Sequence, residues 1–222
     1  MTHSVRTALI GITMASSIAA PNFASAGSLS GNIGVLSDYF FRGIDQGAGA
    51  IGTAGLDYDF GNGLAIGTWG GDVGDGLEVD VYGSYSGEAS GFAYGVGFTT
   101  YNYTGEFDDS YQEINLSAGY GPVSLAYAMG TYDSSPSQDY TFTSLTLEQG
   151  GVYATLGAHG KDFDGSYVEL GYGAEVSGLD LGVSIISADE DLSVVDQDGD
   201  SKNDAEVSMV FSLSKSFDIG GK

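Results

Sequence analysis

Hydrophobic and polar residues alternate along most of this chain with a period of two. The segment Leu77–Tyr85 shows this most clearly, since Val79 and Val81 fall on one side while Glu78 and Asp80 fall on the other. Such alternation predicts β-strands with one apolar and one polar face. From residue 29 onward the chain divides into pieces of about ten residues, the length of a tilted strand that crosses a membrane. The twelve predicted strands are 29–42, 53–60, 64–69, 77–85, 92–103, 111–120, 123–131, 140–148, 152–159, 167–175, 179–187 and 205–217.

The connections between these predicted strands alternate between short and long. Those after the even-numbered strands are tight turns such as Gly61–Gly63 and Gly121–Pro122. Those after the odd-numbered strands are mostly longer and more acidic, and the longest is Ala188–Asp204. An up-and-down antiparallel barrel gives this pattern when all long loops lie at one end. The sequence therefore predicts an all-β fold of about twelve strands that closes into a barrel.

A membrane barrel turns its apolar face outward and a soluble barrel turns it inward, and alternation alone does not separate the two. The polar faces here carry small or acidic residues, which suits a wet lumen. Twelve strands would also enclose a space about 23 Å wide, too wide for apolar side chains alone to fill. Aromatic residues near the strand ends resemble the two girdles of a membrane barrel, and they are Tyr39, Phe41, Phe60, Tyr85, Phe92 and Tyr120. We therefore expect a transmembrane β-barrel; the alternative is a soluble exported barrel that carries an apolar ligand.

Residues 1–26 have the features of a secretory signal peptide. Arg6 supplies the positive charge, residues 7–20 are mostly apolar and uncharged, and Ala24–Ala26 forms a small-residue cleavage site. We expect cleavage after Ala26 and a single barrel domain over residues 27–222. No later apolar run is long enough for a transmembrane helix.

Composition excludes two other classes of protein. The chain has no cysteine, so stability cannot come from a disulfide scaffold. Its formal net charge of −24 argues against nucleic-acid binding, which needs a basic surface. Aromatic and apolar residues are plentiful and periodic, so the charge does not indicate disorder.

Several short motifs resemble those of the TorF-type porin family. They are SDYFFRG at 37–43, GLDY at 55–58, GTWG at 67–70, EVDVYG at 78–83 and FSLSKSF at 211–217. Together they extend over nearly the whole chain in order. The resemblance implies an outer-membrane barrel of proteobacteria, reached through the periplasm, with a pore function and no established substrate. Barrels of this class usually end in an aromatic residue that the assembly machinery reads, whereas Phe217 is followed here by Asp218–Lys222.

The polar faces of the predicted strands suggest which residues line a pore. These candidates are Asp38, Arg42, Asp57, Asp59, Glu78, Asp80, Glu113 and Asn115. Carboxylates around a lumen attract cations and repel anions at close range, so we expect passage of cationic or neutral small solutes. The alternative is that the carboxylates are merely hydrated, or pair with Arg42 and Lys161.

Arg42 is the only arginine after the predicted signal peptide. On a strand it lies too far from Asp38 for direct pairing, so we predict a cross-strand ion pair with Asp57 or Asp59 near the outer rim. The alternative is a constriction residue that places one positive charge opposite a carboxylate wall.

The Ala188–Asp204 loop suggests a metal site. Asp196, Asp198 and Asp200 are spaced as in calcium-binding loops, and Gly199 allows a sharp turn. Position 207, where an EF-hand would need Glu, is Val207, so the motif is partial. A solvated acidic external loop is the favoured interpretation and Ca²⁺ binding the alternative. No other cofactor is expected.

Enzymatic activity is not expected. His159 is the only histidine in residues 27–222, and no G-x-S-x-G motif supplies a nucleophile for it. Two functional hypotheses remain. The leading one is a passive outer-membrane pore, with membrane lipid and small solutes as its partners. The other is a closed structural barrel whose acidic external loops bind cations or partners. The oligomeric state stays open.

Overall fold

The computed structural model describes residues 27–193 and 203–221, and these form a closed antiparallel β-barrel. Two further short strands, β2 (Phe40–Phe41) and β3 (Ile44–Asp45), pair only with each other. The barrel strands are β1 (Ser28–Leu36), β4 (Ile51–Asp59), β5 (Leu64–Asp72), β6 (Leu77–Ala89), β7 (Phe92–Tyr103), β8 (Tyr111–Tyr120), β9 (Val123–Tyr132), β10 (Gln138–Gln149), β11 (Val152–Lys161), β12 (Ser166–Val176), β13 (Leu179–Ala188) and β14 (Glu206–Gly221). Within the described ranges, no helix is long and apolar enough to cross a membrane.

The strands follow one another around the barrel in chain order. Each pairs with its neighbours in sequence, and β1 closes the cylinder by pairing with both β4 and β14. The predicted all-β class and the twelve-stranded up-and-down barrel are therefore confirmed. Tight turns such as Ser90–Gly91 and Ser177–Gly178 connect the strands at one end, and longer loops connect them at the other.

The apolar side of each strand faces outward. On β6, Leu77 and Val81 are 49% and 54% exposed, whereas Glu78 and Asp80 are each 1% exposed. A soluble barrel would show the opposite arrangement, because its apolar side chains would fill the interior. The exposed apolar residues continue around all twelve strands, so the outer wall matches the hydrocarbon of a bilayer.

Aromatic residues form a girdle on the outer wall at the short-turn end. They are Tyr58, Phe60, Tyr85, Phe92, Tyr94, Tyr120, Tyr172 and Phe217. Two of the aromatic residues expected in a girdle, Tyr39 and Phe41, lie inside the barrel instead. Tyr39 is 1% exposed.

The first predicted strand is too long. The prediction extends it to Arg42, but β1 ends at Leu36, which pairs directly with Ile51 at the start of β4. The residues between them, 37–50, fold back into the lumen, and we name them the inward segment. Its tip is a hairpin in which Arg42 and Gly43 both have positive φ, 52° and 87°. Consecutive positive φ angles are typical of a type I′ turn, for which Gly is well suited.

Candidate functional site: the lumen and the inward segment

The tip of the inward segment places a single cation against the barrel wall. Arg42 donates from its two terminal nitrogens to the two oxygens of Glu113 on β8, at 2.5 Å and 2.9 Å. The two side chains are 2% and 0% exposed. This is a fork-to-fork ion pair, the geometry in which a guanidinium binds a carboxylate most strongly.

Two tyrosines, one on β7 and one on β10, complete the surroundings of Glu113. The hydroxyl of Tyr101 on β7 donates to Oε2 at 3.0 Å, and that of Tyr140 on β10 donates to Oε1 at 2.8 Å. Each oxygen of Glu113 therefore accepts one bond from Arg42 and one from a tyrosine. These four bonds fix the orientation of the carboxylate and compensate for its burial.

Aromatic rings lie against the guanidinium group as well. The central carbon of Arg42 is 4.7 Å from the centre of the Phe41 ring and 4.5 Å from the centre of the Phe142 ring. Both distances are within the range of cation–π attraction, which strengthens when water is excluded. The cation thus sits between one carboxylate and two aromatic rings, in a place that water does not reach.

The backbone of the hairpin is held at two further points. Nε2 of His159 on β11 lies 3.1 Å from the carbonyl oxygen of Arg42. An added Cβ at Gly43 would stand 2.6 Å from the ring of Tyr167 on β12, so only glycine fits there. His159, for which catalysis is not expected, therefore contacts the inward segment.

Apolar packing attaches the inward segment to the opposite wall. Phe40 is 5% exposed and shares a buried cluster with Phe142 and Tyr167, and Ile44 packs against this cluster. The other members come from β9, β13, β14 and the loop after β13, and they are Ala128, Ile186, Ala188, Leu192 and Val210.

The start of the inward segment makes its own contacts with β5 and β6. The hydroxyl of Tyr39 donates to Glu78 at 3.0 Å, and the Tyr39 ring lies 5.8 Å from that of Trp69. Asp38 accepts a bond from the Tyr39 backbone nitrogen at 2.9 Å. Burial raises the pKa of Asp38 above its ordinary value, and the nearby Asp45 carboxylate is the second largest cause of this rise.

These contacts close the half of the barrel next to the long loops. Inward side chains from β4 to β14 are buried around the hairpin, and Leu36 of β1 packs against the same cluster as Tyr39. The buried inward side chains of β4 to β14 include one from each strand, and these are Ile51, Trp69, Asp80, Tyr101, Glu113, Ala128, Phe142, Thr155, Glu169, Ile186 and Val210. In this conformation, water therefore does not pass through this level of the lumen.

The half of the lumen next to the short turns is more open. Asp57 and Asp59 are only partly buried there, and Asp57 accepts a bond from the hydroxyl of Tyr82 at 2.6 Å. Glu148 and Asp180 also face this space and are partly exposed. The acidic wall thus continues from the closed level to the short-turn end.

The structure places the predicted lining residues at two depths. Glu78, Asp80, Glu113 and Asn115 are buried at the closed level, and Asp57 and Asp59 lie in the more open half. Asp38 and Arg42 belong to the inward segment rather than to a wall strand.

The predicted partner of Arg42 is wrong. The ion pair is with Glu113, 71 residues away, and not with Asp57 or Asp59. This error follows from the overlong first strand in the prediction, because Arg42 does not lie on β1 and so has no cross-strand neighbour on β4. Lys161 pairs with Asp139 at 3.7 Å, with both side chains about half exposed.

Asp196, Asp198 and Asp200 lie outside the described residues. Sequence reasoning did not find Tyr101, Tyr140, Phe142 or Glu169 as site residues; only their position on the polar side of the alternation could have indicated them.

A family model described as "Bacterial protein of unknown function (Gcw_chp)" matches residues 20–217. The chain belongs to this family. No curated protein matches the chain in sequence. The narrower resemblance to TorF-type porins stays a prediction.

Solved structures resemble this chain to different degrees, and the first of those below shares its fold. One membrane protein, from work on the mechanism of in-meso crystallization, has a TM-score of 0.56 at 6% identity, over 86% of this chain and 84% of that one. OccK2 (OpdF) of Pseudomonas aeruginosa, in complex with glucuronate, has a TM-score of 0.41 at 15% identity over 78% of this chain. OccAB4 of Acinetobacter baumannii has a TM-score of 0.43 at 13% identity over 86% of it. The chain covers 60% and 62% of those last two proteins.

Proposed function

We propose that this protein is an outer-membrane, porin-like barrel that passes small cationic or neutral solutes when its inward segment moves aside. The role is one of transport rather than catalysis. Two features of the wall support it: an apolar exterior suited to lipid and a polar interior suited to water. Closure by the inward segment rests on a few identifiable contacts, and the strands themselves form a complete barrel without it.

The acidic inner wall is the observation that carries the proposed selectivity. Carboxylates face the lumen on β4, β6, β8, β10, β12 and β13, and they lie at several depths. They include Asp57, Asp59, Glu78, Asp80, Glu88, Glu113, Glu148, Glu169, Glu175 and Asp180. Among the described residues, Arg42 is the cationic side chain buried in the lumen, where it pairs with Glu113, whereas Lys161 lies half exposed at the end of β11 and pairs with Asp139. Such a wall concentrates cations and repels anions.

The closed structural barrel remains the second candidate, because one observation favours it. Inward side chains are buried around the hairpin at one level of the lumen, and a barrel that kept this conformation would conduct nothing. In that case the long loops and their acidic residues would be the functional surface.

Replacement of the inward segment separates these candidates. Because Leu36 pairs with Ile51, a short Gly–Ser turn can connect β1 to β4 in place of residues 37–50. The wild-type and shortened barrels would be compared in planar bilayers under a potassium chloride gradient. We expect larger conductance and a cation-selective reversal potential from the shortened barrel. Anion selectivity would refute the proposed solute class, and a silent shortened barrel would favour the closed structural role.

Export and calcium binding are separate proposals that concern residues outside the described ranges. We propose that residues 1–26 direct export and are removed after Ala26. Mass spectrometry of the protein purified from outer membranes would give the mature N-terminus. For the loop, the test is calorimetric titration of the wild type and of Asp198→Ala with Ca²⁺. Binding heat in the wild type that Asp198→Ala abolishes would support a calcium site, and no heat in either protein would refute it.

A further inference from the structure

The surroundings of Arg42 have the composition of a binding site for a guanidinium group. Glu113 offers two oxygens in one plane, Tyr101 and Tyr140 hold that carboxylate in place, and the Phe142 ring covers the cation. These four residues come from β7, β8 and β10, and all four remain when the inward segment is taken away. Only Arg42 and Phe41 belong to the segment.

We propose that this wall site is a receptor for guanidinium-bearing solutes, which the chain's own Arg42 occupies while the barrel is closed. A solute with a guanidinium group would take the position of Arg42 at Glu113 when the segment leaves. The inference names a solute class for the pore and thus rests on the proposed function, although the site can be tested without any conduction.

The chemistry of the site favours guanidinium over a simple ammonium ion. A planar group with two parallel N–H bonds matches both oxygens of Glu113, as Arg42 does, and its flat face can lie against an aromatic ring. An ammonium group is a compact point charge that cannot make this two-point contact and is more strongly hydrated. Neutral urea has a similar shape but does not compensate the buried carboxylate.

Withdrawal of Arg42 would also leave the carboxylate of Glu113 without a cationic partner. When Arg42 withdraws, Glu113 stays behind near Asp80, which is 1% exposed on β6. The described part of the lumen has no other cationic side chain at this level, since Lys161 lies at the end of β11 and pairs with Asp139. A cationic solute that enters the acidic lumen therefore meets an uncompensated carboxylate with its tyrosine donors already in place.

Because Arg42 occupies the site in the closed barrel, the affinity for a solute should differ between the wild type and Arg42→Ala. In the wild type Arg42 occupies the site in every closed barrel, so the apparent affinity for a solute is the intrinsic affinity multiplied by the fraction of barrels that are open. In Arg42→Ala the missing atoms correspond to ethylguanidinium, which would then bind without competition. A small ligand of this kind with a Kd of about 10 mM would, at 100 mM, shift the folded-to-unfolded ratio about tenfold.

The test is calorimetric titration of the refolded full chain with ethylguanidinium, using ethylammonium and ethylurea as matched probes. We expect one-site binding to Arg42→Ala, at least tenfold tighter than for ethylammonium, and much weaker binding to the wild type. Adding Glu113→Gln to Arg42→Ala should remove it. Equal affinity for ethylguanidinium and ethylammonium, or unchanged binding in the double variant, would overturn the proposal.

A second variant covers the case in which Arg42→Ala does not fold. The barrel with residues 37–50 replaced by a short turn keeps all four wall residues, and it can be titrated in the same way with and without Glu113→Gln. In bilayers, ethylguanidinium should block its potassium current more strongly than ethylammonium. Binding without any current would support the receptor and refute the pore. Current without Glu113-dependent binding would support the pore and refute the receptor.

Discussion

Breaking the ion pair at Glu113 should open the barrel. In Glu113→Gln, the two terminal nitrogens of Arg42 lose their charged acceptor. Its Nε has no hydrogen-bond partner among the described residues, so the whole guanidinium would remain buried beside a neutral amide. Removing one partner of a buried ion pair costs about 3–5 kcal/mol. A loss of about 4 kcal/mol from the closed state raises the open population about a thousandfold.

A single cysteine can report this opening, because the chain has none of its own. Ala128 is 2% exposed on the inner side of β9 and belongs to the buried cluster around Phe40, so Ala128→Cys is a small change at a protected position. A charged, membrane-impermeant thiol reagent should label it slowly in the wild-type background. In the Glu113→Gln background the labelling rate should rise by up to about a thousandfold.

The matched control is the exposed ion pair. Lys161 and Asp139 are 3.7 Å apart and about half exposed, so Asp139→Asn should change closure by no more than about 1 kcal/mol after solvent screening. If Glu113→Gln labels no faster than the wild type, the inward segment does not depend on the ion pair. If both variants accelerate labelling equally, the effect is a general loss of stability and the reasoning fails.

Two further predictions concern the turn and the outer wall. Gly43→Ala should speed labelling of the same reporter, because its Cβ would meet the Tyr167 ring at 2.6 Å and its φ is 87°. Val81→Lys, on the lipid side of β6, should destabilise the barrel in urea unfolding from liposomes by about 2–4 kcal/mol, whereas lumen-facing Ser84→Lys should cost much less. Equal destabilisation by the two lysines would contradict the assignment of faces, and unchanged labelling in Gly43→Ala would contradict the tight turn.

Strand periodicity and the alternation of short and long connections were enough to predict the barrel and the two faces of each strand. On β6 every second residue from Glu78 to Glu88 falls on the lumen side, because successive side chains on a strand must point in opposite directions. That rule is local, and it needs no knowledge of the partner strand. It therefore assigned Glu113 to the polar face of β8, and the small or acidic residues on the polar faces then indicated that this face lines the lumen.

The same periodicity misled at residues 37–43. Tyr39, Phe41 and their polar neighbours alternate as a strand would, but the alternation belongs to a hairpin that packs on two sides inside the lumen. The one local sign was Gly43, which allows a turn but does not require one. The ion pair itself was beyond sequence reasoning, since any of 30 acidic residues could have been the partner of Arg42.

A double-mutant cycle on Arg42 and Glu113 tests most directly whether their pairing closes the lumen. The measurement is the labelling rate of Ala128→Cys in the wild type, Arg42→Met, Glu113→Gln and the double variant. Each single variant leaves one partner of the buried pair unmatched, whereas the double variant leaves no unpaired charge at this position. We predict that the double variant labels no faster than the faster single variant. A rate in the double variant equal to the product of the two single effects would contradict the account.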